Sequence, residues 1–464
     1  MTVISVLGVD SSTQSTKALL VDAADGTVLD RQSAPHPPGT EVDPRAWTQA
    51  YDATAGALLP RAAALGVAGQ QHGMVARDQA GEPVRDALLW NDTRSAAAAA
   101  DLIAEHGGPE ACAEAVGSVL VASFTVTKLR WLRDHEPQAA ARVADVLLPH
   151  DYVSLHACAP GTSAFTDRGD ASGTGYFSTA SGEWRSDLAA AALGHEVSLP
   201  RIAGAGAVAG ETASGAVVSA GTGDNMGAAL GLSLSPGDVV LSVGTSGVAS
   251  TVSAHRVADG SGVVTGFADA TGGFLPMVVT MNAAGILDLQ SALLGVDHAG
   301  LSSLALEAPA GANGLTLLPY YGGERTPNRP TAVGTWTGLT GRATRADLAR
   351  AAFEALLCSL ADAVDELVRH TGEEPRRLMM IGGATASPAL RTLAPTILGR
   401  PVTFLPEGEY VALGAARQAA WALSGKDQAP AWPLPGGETV EGDPARGVRE
   451  RYAELRDNTE SWNN

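Results

Sequence analysis

Cysteine is scarce in this chain of 464 residues and occurs only at Cys112, Cys158 and Cys358. The three lie far apart and form no CxxC pair, so the sequence excludes a disulfide framework and a cysteine-based zinc site, and it fits a reduced cytoplasm. No apolar run reaches the ~18 residues that a membrane helix needs. The apolar start at residues 1–7 follows no basic segment and predicts a core strand rather than a signal peptide.

Lysine is as scarce as cysteine, because Lys17, Lys128 and Lys426 are the only lysines among 31 basic residues. Arginine, alanine and glycine are abundant, which indicates codon bias. A lysine in such a sequence is therefore a candidate for a specific role that arginine would not fill. Acidic residues dominate and give a formal net charge of −19. An acidic surface releases no counterions from a polyanion, which excludes nucleic acid and anionic membranes as partners.

The two commonest nucleotide-binding motifs are also missing, because neither a Walker A sequence nor G-x-G-x-x-G occurs. What the sequence has instead is two apolar hairpins with polar turns. The first runs from Val3 to Val21, and the second begins at Asp238. Thr13 and Thr245 occupy matching turn positions 232 residues apart, which is half the length. This predicts an internal duplication, although two common hairpin patterns could also coincide.

Strands alternate with helices in both halves, which predicts an α/β fold with a mixed sheet and flanking helices in each of two lobes. We expect residues 1–234 to form the N-terminal lobe and residues 235–464 the C-terminal lobe, with the boundary at residues 233–237. Residues 43–59 read as one helix. Thr344 and Asp347 form a capping box for another that ends at Gly372. The acidic, proline-rich tail after Lys426 reads as a surface extension.

The two hairpin turns supply the small polar residues and accessible backbone N–H groups that a triphosphate requires. We predict that they bind the phosphates of ATP, although either turn alone also fits an ordinary β-turn. Asp10 ends the first strand and is expected to hold Mg²⁺, through water; a turn-capping role is the alternative. Lys17 could face the phosphates or be an exposed strand residue. The turn residues assigned to ATP are Ser12, Thr13, Gln14, Gly244, Thr245 and Ser246.

Gly221-Thr222-Gly223-Asp224-Asn225 places an acidic residue between two glycines and a predicted helix. A carboxylate there can accept the proton of a substrate hydroxyl during phosphoryl transfer, which makes Asp224 the candidate catalytic base and a further candidate for the metal. Helix capping is the alternative. Gly382 and Gly383 follow a strand and would let backbone approach a planar base, or form a tight turn.

Two further segments are dense in hydrogen-bonding groups, with one aromatic ring, and such a mixture suits a polyol. The alternative for the histidine is a structural role. The segments are Gly69-Gln70-Gln71-His72-Gly73, which contains that histidine, and Leu89-Trp90-Asn91-Asp92-Thr93-Arg94, which contains the aromatic ring.

Together these residues resemble the FGGY family of carbohydrate kinases. Its first signature can be traced as Ser123-x-Thr125-x-x-Lys128-Leu129-x-Trp131. The second begins Gly334-x-Trp336-x-Gly338-Leu339 and continues to Glu354. The runs at residues 69–73, 89–94, 147–152 and 318–327 look like the xylulokinase subfamily. The likeness covers residues 6–423.

This resemblance implies an actin-like ATPase fold of the ribonuclease H-like type, with ATP and Mg²⁺, and Asp224 deprotonating the C5 hydroxyl of D-xylulose. It implies that the sugar site is lined by Gln71, His72, Trp90, Asn91, Asp92 and Asn225. It also implies that Lys17 contacts phosphate and that Gly382, Gly383 and Ala384 contact adenosine. The implied ligands are a sugar and ATP. We expect the protein to be cytoplasmic, and a homodimer is the assembly considered.

Three departures from the family pattern affect the ATP and sugar contacts that the resemblance implies. Ser12 replaces a glycine, so its turn must be unstrained there. Gln71 replaces a methionine, and Ala384 a glycine. Because Gln71 adds a donor and an acceptor, a kinase for another ketopentose or a pentitol stays open. A non-catalytic actin-fold ATPase or sugar sensor is a third, more distant interpretation.

Overall fold

The computed structural model describes residues 3–433 and 436–463. The chain forms two compact units. The first comprises Met1–Leu234, Ala254–Leu275 and Gly408–Leu434, and the second comprises Ser235–Ser253, Pro276–Glu407 and Pro435–Asn464. The chain thus returns twice to the first unit. The assignment of residues 1–234 and 235–464 to two functional lobes stays a prediction.

The strands are numbered in chain order. They are β1 (Ser5–Ser11), β2 (Ser15–Asp22), β3 (Val28–Pro35), β4 (Glu41–Val42), β5 (Ala64–Gly69), β6 (Val75–Arg77), β7 (Ala87–Leu88), β8 (Asp145–Leu147), β9 (Phe165–Asp167), β10 (Phe177–Ser178), β11 (Glu183–Trp184), β12 (Arg201–Ala203), β13 (Val208–Glu211), β14 (Val217–Ser219), β15 (Thr222–Gly223), β16 (Asp238–Val243), β17 (Gly247–Thr251), β18 (Thr265–Ala268), β19 (Phe274–Thr280), β20 (Thr316–Leu318), β21 (Thr335–Thr337), β22 (Arg377–Ile381), β23 (Val402–Phe404) and β24 (Glu438–Val440).

The α-helices are numbered in the same way. They are α1 (Arg45–Ala53), α2 (Ala55–Leu58), α3 (Ala96–Glu105), α4 (Pro109–Val116), α5 (Thr125–His135), α6 (Pro137–Ala140), α7 (Pro149–Ala157), α8 (Arg168–Ala171), α9 (Ser186–Leu193), α10 (Asp224–Gly231), α11 (Ala284–Leu294), α12 (His298–Glu307), α13 (Arg345–Thr371), α14 (Pro388–Leu398), α15 (Tyr410–Ser424) and α16 (Val448–Asn458). Within residues 3–433 and 436–463, none of the helices has the length and apolar character needed to cross a membrane.

The main sheet of the first unit has the order β13-β14-β5-β1-β2-β3, and β15 pairs with the end of β5. β1 runs antiparallel to β2 and parallel to β5. Asp10 lies opposite Ala68 of β5, and Ala68 lies opposite Thr222 of β15. The parallel strands β1, β5 and β15 therefore end at one edge, where the candidate residues follow them.

The main sheet of the second unit contains β19-β17-β16-β22-β23-β24 in that order. Its strands pair in the same pattern of parallel and antiparallel neighbours as those of the first sheet. β16 is antiparallel to β17 and parallel to β22, β22 is parallel to β23, and β23 is antiparallel to β24. In the first sheet, the pairings β3–β2 and β2–β1 are antiparallel, β1–β5 and β5–β14 are parallel, and β14–β13 is antiparallel. This shared topology supports the interpretation of an internal duplication.

Two helix predictions have different outcomes. α13 begins after Thr344, whose hydroxyl accepts from the Asp347 N–H, and it ends at Gly372 with a φ of 70°, as predicted. The single helix predicted over residues 43–59 is wrong, because it breaks at Thr54 between α1 and α2. The Thr54 hydroxyl donates to the Ala50 carbonyl at 2.7 Å, and such bonding by threonine competes with the regular helix.

The tail after Lys426 is not a surface extension, which corrects that prediction. β24 pairs with β23 and extends the second sheet. Tyr452 and Leu455 on α16 are buried. Arg456 of the same helix reaches Asp362 of α13 at 2.5 Å. Apolar burial and this ion pair hold residues 438–458 to the second unit, whereas residues 427–433 belong to the first unit.

α10, which begins with Asp224, lies directly against α15. The two helices approach so closely that a Cβ at Gly414 would stand 1.8 Å from the Gly227 carbonyl oxygen. A Cβ at Gly231 would stand 2.0 Å from the Tyr410 carbonyl oxygen. Glycine is therefore required where these helices meet, and the contact fixes the position of α10 behind the sheet edge.

We predict that Gly414→Ala destabilises the protein although alanine is the better helix former. The added methyl group would force α10 and α15 apart, and overpacking of this kind costs about 1–3 kcal/mol. Thermal unfolding measures the effect. The matched control is Gly56→Ala in α2, where a Cβ meets nothing closer than 3.7 Å. An unchanged melting temperature for Gly414→Ala would contradict the close helix contact.

Candidate active site

Asp10 and Asp224 stand at the same edge of the first sheet. Asp10 lies at the end of β1, and Asp224 is the first residue of α10, directly after β15. The register between β1, β5 and β15 aligns Asp10 with Thr222, two residues before Asp224. Parallel strands followed by a helix thus bring together two carboxylates that the sequence separates by more than two hundred residues.

Burial raises the pKa of both carboxyl groups to about 7. For Asp224, the neighbouring charges of Asp10 and then Asp170 raise the pKa further. For Asp10, the ammonium of Lys17 opposes the effect of burial, and Oδ1 has no hydrogen-bond partner within the described residues. A carboxylate with a pKa near neutrality is suited to proton transfer.

Asn225 holds the Asp224 carboxylate in place. Its backbone N–H donates to Asp224 Oδ1 at 2.8 Å, and its side-chain Nδ2 donates to the same oxygen at 3.0 Å. Nδ2 also donates to Gln71 Oε1 at 2.9 Å. Both side-chain N–H groups of Asn225 therefore have partners inside the protein, and the predicted residues Gln71, Asp224 and Asn225 form one network.

His72 is held in a left-handed backbone conformation, with a φ of 67°. Its Nδ1 donates to the Gly173 carbonyl oxygen at 2.6 Å, which assigns the proton to that nitrogen. The ring lies against Phe124 and Phe267, with centroid distances of 5.0 and 5.7 Å. Strained backbone of this kind persists only where the surroundings fix it, as they do here.

Lys128, one of the three lysines, is fully buried and contributes to this support. Its ammonium donates to the His72 carbonyl oxygen at 3.3 Å and to those of Ala122 and Ser123. Burial lowers its pKa to about 7, although the charge of Asp92 opposes this. The scarcity of lysine marked this residue in the sequence, but its contact with the His72 loop was not predicted.

The second predicted sugar segment has one exposed ring and one fixed carboxylate. Trp90 is 48% exposed, and its Nε1 donates to Thr13 Oγ1 at 2.9 Å. Asn91 is exposed. Asp92 is buried and accepts from Thr40 at 2.8 Å and from Arg94 Nε at 2.9 Å. Asp92 thus shapes the loop that presents Trp90 and Asn91.

The first turn that is predicted to bind phosphate joins β1 to β2. Its backbone closes through the Ser12 N–H, which donates to the Ser15 carbonyl oxygen at 3.1 Å. Ser12 is not among the residues with positive φ, so the turn is unstrained there, as expected. Thr13 and Gln14 complete it. Lys17 lies on β2 and pairs with Glu409 at 2.7 Å, a partner that the sequence did not indicate.

The second unit carries the other predicted nucleotide residues. The turn of Gly244, Thr245 and Ser246 lies against the start of α11, where the Ala284 N–H donates to the Gly244 carbonyl oxygen at 2.8 Å. Gly382 has a φ of 106°, and a Cβ there would stand 2.6 Å from the Val243 carbonyl oxygen. Glycine is therefore required at the end of β22.

A cavity of ≈ 440 Å³ opens beside these residues. Gly383 and Ala384 form part of its wall. The rest of its lining is largely apolar and comes from α11, α12, α13 and the start of α14, including Leu287 and Phe353. Such a lining suits a flat heterocycle such as adenine. Ala384, which departs from the family pattern, lies on this wall and leaves the cavity open.

A buried cluster of charged residues behind the sheet edge was not predicted. His150 Nδ1 donates to Asp170 Oδ2 at 2.6 Å, and both side chains are inaccessible to solvent. Burial alone would lower the pKa of His150, but Asp151 and Asp170 raise it to about 9. His150 belongs to the run 147–152 noted in the sequence, whereas nothing local marked Asp170.

Residues 5–232 match the N-terminal domain, and residues 239–423 the C-terminal domain, of the FGGY family of carbohydrate kinases. The chain belongs to this family. It is 45% identical over 439 residues to a xylulose kinase of Streptomyces coelicolor, covering 91% of this chain and 89% of that one.

Solved structures agree. The xylulose kinase of Bifidobacterium adolescentis has a TM-score of 0.92 at 43% identity and covers 98% of this chain and 99% of its own. The glycerol kinase of Plasmodium falciparum has a TM-score of 0.87 at 18% identity, covering 99% and 98%, and supports the fold alone.

The predicted family and fold are therefore confirmed. The chain is a phosphotransferase with an α/β fold of the actin-like ATPase type, acts on a sugar hydroxyl and uses ATP as a substrate. Because a glycerol kinase shares the fold, the fold does not decide which sugar is bound. The roles of the individual site residues stay predictions.

We predict that Asp10→Asn stabilises the free protein at pH 8. Asp10 has a pKa of about 7 in the folded state, against ~4 for an unfolded aspartate. Between these values the folded protein holds a proton that the unfolded chain has released, so its stability falls as pH rises. Asparagine does not titrate, and the variant should gain on the order of 1–4 kcal/mol at pH 8 but nothing at pH 4.

Denaturant unfolding at several pH values, without nucleotide, measures this difference. Asp238→Asn is the matched control of opposite sign. Burial would raise the pKa of Asp238, but Arg377 and Arg376 hold it below its usual value. That variant should lose stability at pH 8. If Asp10→Asn is less stable than the native protein throughout, the proposed electrostatics of the site are wrong.

Proposed function

We propose that this chain phosphorylates D-xylulose with ATP to give D-xylulose 5-phosphate and ADP, with Asp224 as the general base. The observation that carries the proposal is the half-buried Asp224 carboxylate, held by Asn225 at the start of α10 and raised in pKa to about 7. The S. coelicolor and B. adolescentis relatives, both named xylulose kinase, support the choice of sugar.

In the proposed reaction, Asp224 accepts the proton of the C5 hydroxyl as that oxygen forms its bond to the γ-phosphorus of ATP. The bond between the γ-phosphorus and the bridging oxygen breaks, and ADP leaves. Two N–H groups of Asn225 hold Asp224 Oδ1, so the second carboxylate oxygen is the proton acceptor. Asp224 then releases the proton to water.

The remaining sugar contacts follow from the chemistry of the residues beside Asp224. The exposed ring of Trp90 offers a flat wall for the carbon face of the sugar. His72 carries its proton on Nδ1, so its Nε2 acts as an acceptor for a sugar hydroxyl. Asn91 and the side-chain oxygen of Asn225 add polar groups, while Asp92 supports the loop.

Magnesium fits the acidic edge of the sheet. Asp10 and Asp224 are two carboxylates that repel each other, and Asp10 Oδ1 has no hydrogen-bond partner among the described residues. No group of three or more potential metal ligands occurs within residues 3–433 and 436–463. This agrees with a metal held by one or two carboxylates together with phosphate and water. Magnesium would neutralise phosphate charge there.

Each unit carries proposed ATP contacts of its own. Ser12, Thr13 and Gln14 offer one set of phosphate contacts, and Gly244, Thr245 and Ser246 the other. Gly382, Gly383 and Ala384 would border the adenosine. We place the enzyme in the cytoplasm, where ATP is available, and a homodimer stays the assembly considered.

A kinase for another ketopentose or a pentitol is the second candidate, and Gln71 is the observation that keeps it open. The sugar loop carries an amide where the family typically has methionine. In this structure, however, Gln71 is 3% exposed and its oxygen accepts from Asn225. An amide engaged inside the protein changes sugar preference less than one that faces the substrate.

We predict that Asp224→Ala lowers kcat by about 10²–10⁴-fold, the usual contribution of a general base. The dissociation constant for D-xylulose should change only a few-fold, because other residues bind the sugar. Coupled ATP consumption and calorimetric sugar binding measure the two quantities. Asp187→Asn on the exposed surface of the first unit is the control. Near-native turnover by Asp224→Ala would refute the role of this residue.

We also predict that D-xylulose has the highest kcat/KM in a panel with D-ribulose, L-ribulose, xylitol and glycerol. Coupled ATP consumption with each sugar measures this. A clear preference for D-ribulose or xylitol would establish the second candidate instead. ATP hydrolysis that no sugar stimulates would favour the non-catalytic alternative.

A further inference from the structure

The buried pair His150–Asp170 lies immediately behind the two loops that carry the sugar and catalytic residues. A Cβ built at Gly69, where the sugar loop begins, would stand 3.0 Å from His150 Cβ. A Cβ at Gly221 would stand 2.5 Å from His150 Cδ2. His150 thus packs against the first residue of both loops, with its backbone and Cβ beside Gly69 and its ring beside Gly221, and glycine at both positions makes room for it.

Asp170 extends this contact toward the catalytic residue. A Cβ at Gly223, the residue before Asp224, would stand 3.1 Å from Asp170 Oδ1 and 3.1 Å from Gln71 Cδ. Asp170 is itself fixed, because Asp167 accepts from its backbone N–H at 2.9 Å. Asp167 also accepts from the Thr222 hydroxyl at 2.8 Å, which ties α8 to the catalytic turn.

Gln71 bridges the remaining distance. Its Cγ and Cδ and Asp170 Oδ1 surround the same point at Gly223. Gln71 Nε2 and Asp170 Oδ1 are both buried, and neither has a hydrogen-bond partner within the described residues. A donor and an acceptor in the same position are complementary, and an unpaired buried group costs about 1–3 kcal/mol. The Gln71 amide also opposes the rise that burial causes in the pKa of Asp170. On the other side, Gln71 Oε1 accepts from Asn225.

We propose that His150 and Asp170 are positioning residues that orient Asp224 through Gln71 and Asn225. His150 pairs with Asp170, Asp170 Oδ1 lies beside the Gln71 side chain at Gly223, Gln71 Oε1 accepts from Asn225, and Asn225 donates to Asp224 Oδ1. The proposal rests on Asp224 being the base and adds how its carboxylate is held.

The same chain gives Gln71 a role other than sugar recognition. A methionine at this position can accept nothing from Asn225 and donate nothing to Asp170, so the two pairs would be disconnected. Asn225 would then be free to turn away from Asp224. Misplacing a catalytic group lowers turnover more than ground-state binding.

The test is a double-mutant cycle on Gln71→Met and Asp170→Asn, with kcat, KM and the sugar dissociation constant measured for each variant. We expect Gln71→Met to lower kcat at least 5-fold and Asp170→Asn at least 10-fold, with the dissociation constant for the sugar within 3-fold. If both act through one chain, the double variant is no slower than the worse single variant.

Gln290→Met is the matched control, because Gln290 is an equally buried glutamine in the second unit that donates to Tyr321. It should keep native kcat. Should Asp170→Asn fail to fold, His150 provides a second pair of variants. His150→Gln retains a donor for Asp170 and should keep more than half of kcat, whereas His150→Ala should lose at least 5-fold.

Multiplicative losses in the double variant, or native kcat in Gln71→Met, would overturn the proposal. So would a rise in the sugar dissociation constant that accounts for the whole effect, since that is sugar recognition by Gln71. The cycle is measured with whichever sugar the native enzyme phosphorylates best. A wrong sugar assignment therefore shows itself as a preference of the native enzyme for another sugar. A wrong positioning role shows itself only in the kcat values of the variants.

Discussion

The site depends on the burial of two carboxylates, Asp10 and Asp224, at one edge of the sheet. Asp10 and Asp224 follow parallel strands whose register is fixed by fully buried residues of β1 and β5. The backbone at Asp10 cannot shift far without breaking that register. The pKa of each rises to about 7 in consequence of burial, and for Asp224 also of the other's charge. This edge is therefore less stable than a neutral one and is suited to bind a cation and take up a proton.

Close packing behind the edge keeps the two carboxylates in place. α15 passes so near to α10 and the sheet that glycine is required at Gly8, Gly66 and Gly414, where any Cβ would stand about 2 Å from a carbonyl oxygen. On the other side, the buried pair of His150 and Asp170 fills the space behind the loops. Rigid support of this kind is what a precisely oriented base requires.

Local sequence signals predicted the parts of the molecule that local interactions determine. α13 follows its capping box and closing glycine, and the turn before Asp224 follows its glycines. Prediction failed for contacts between residues that are far apart in the sequence. Glu409 pairs with Lys17 across 392 positions, and Phe267 packs on His72 from another part of the chain. The break between α1 and α2 was not predicted, because threonine at position 54 is also compatible with a continuous helix.

The most direct test of this account is a crystal structure of the enzyme with D-xylulose and a non-hydrolysable ATP analogue. The account predicts that the C5 hydroxyl oxygen lies within hydrogen-bond distance of the Asp224 oxygen that Asn225 does not hold, in line with the γ-phosphorus. A C5 hydroxyl that instead contacts another side chain, with Asp224 turned away from the sugar, would contradict it.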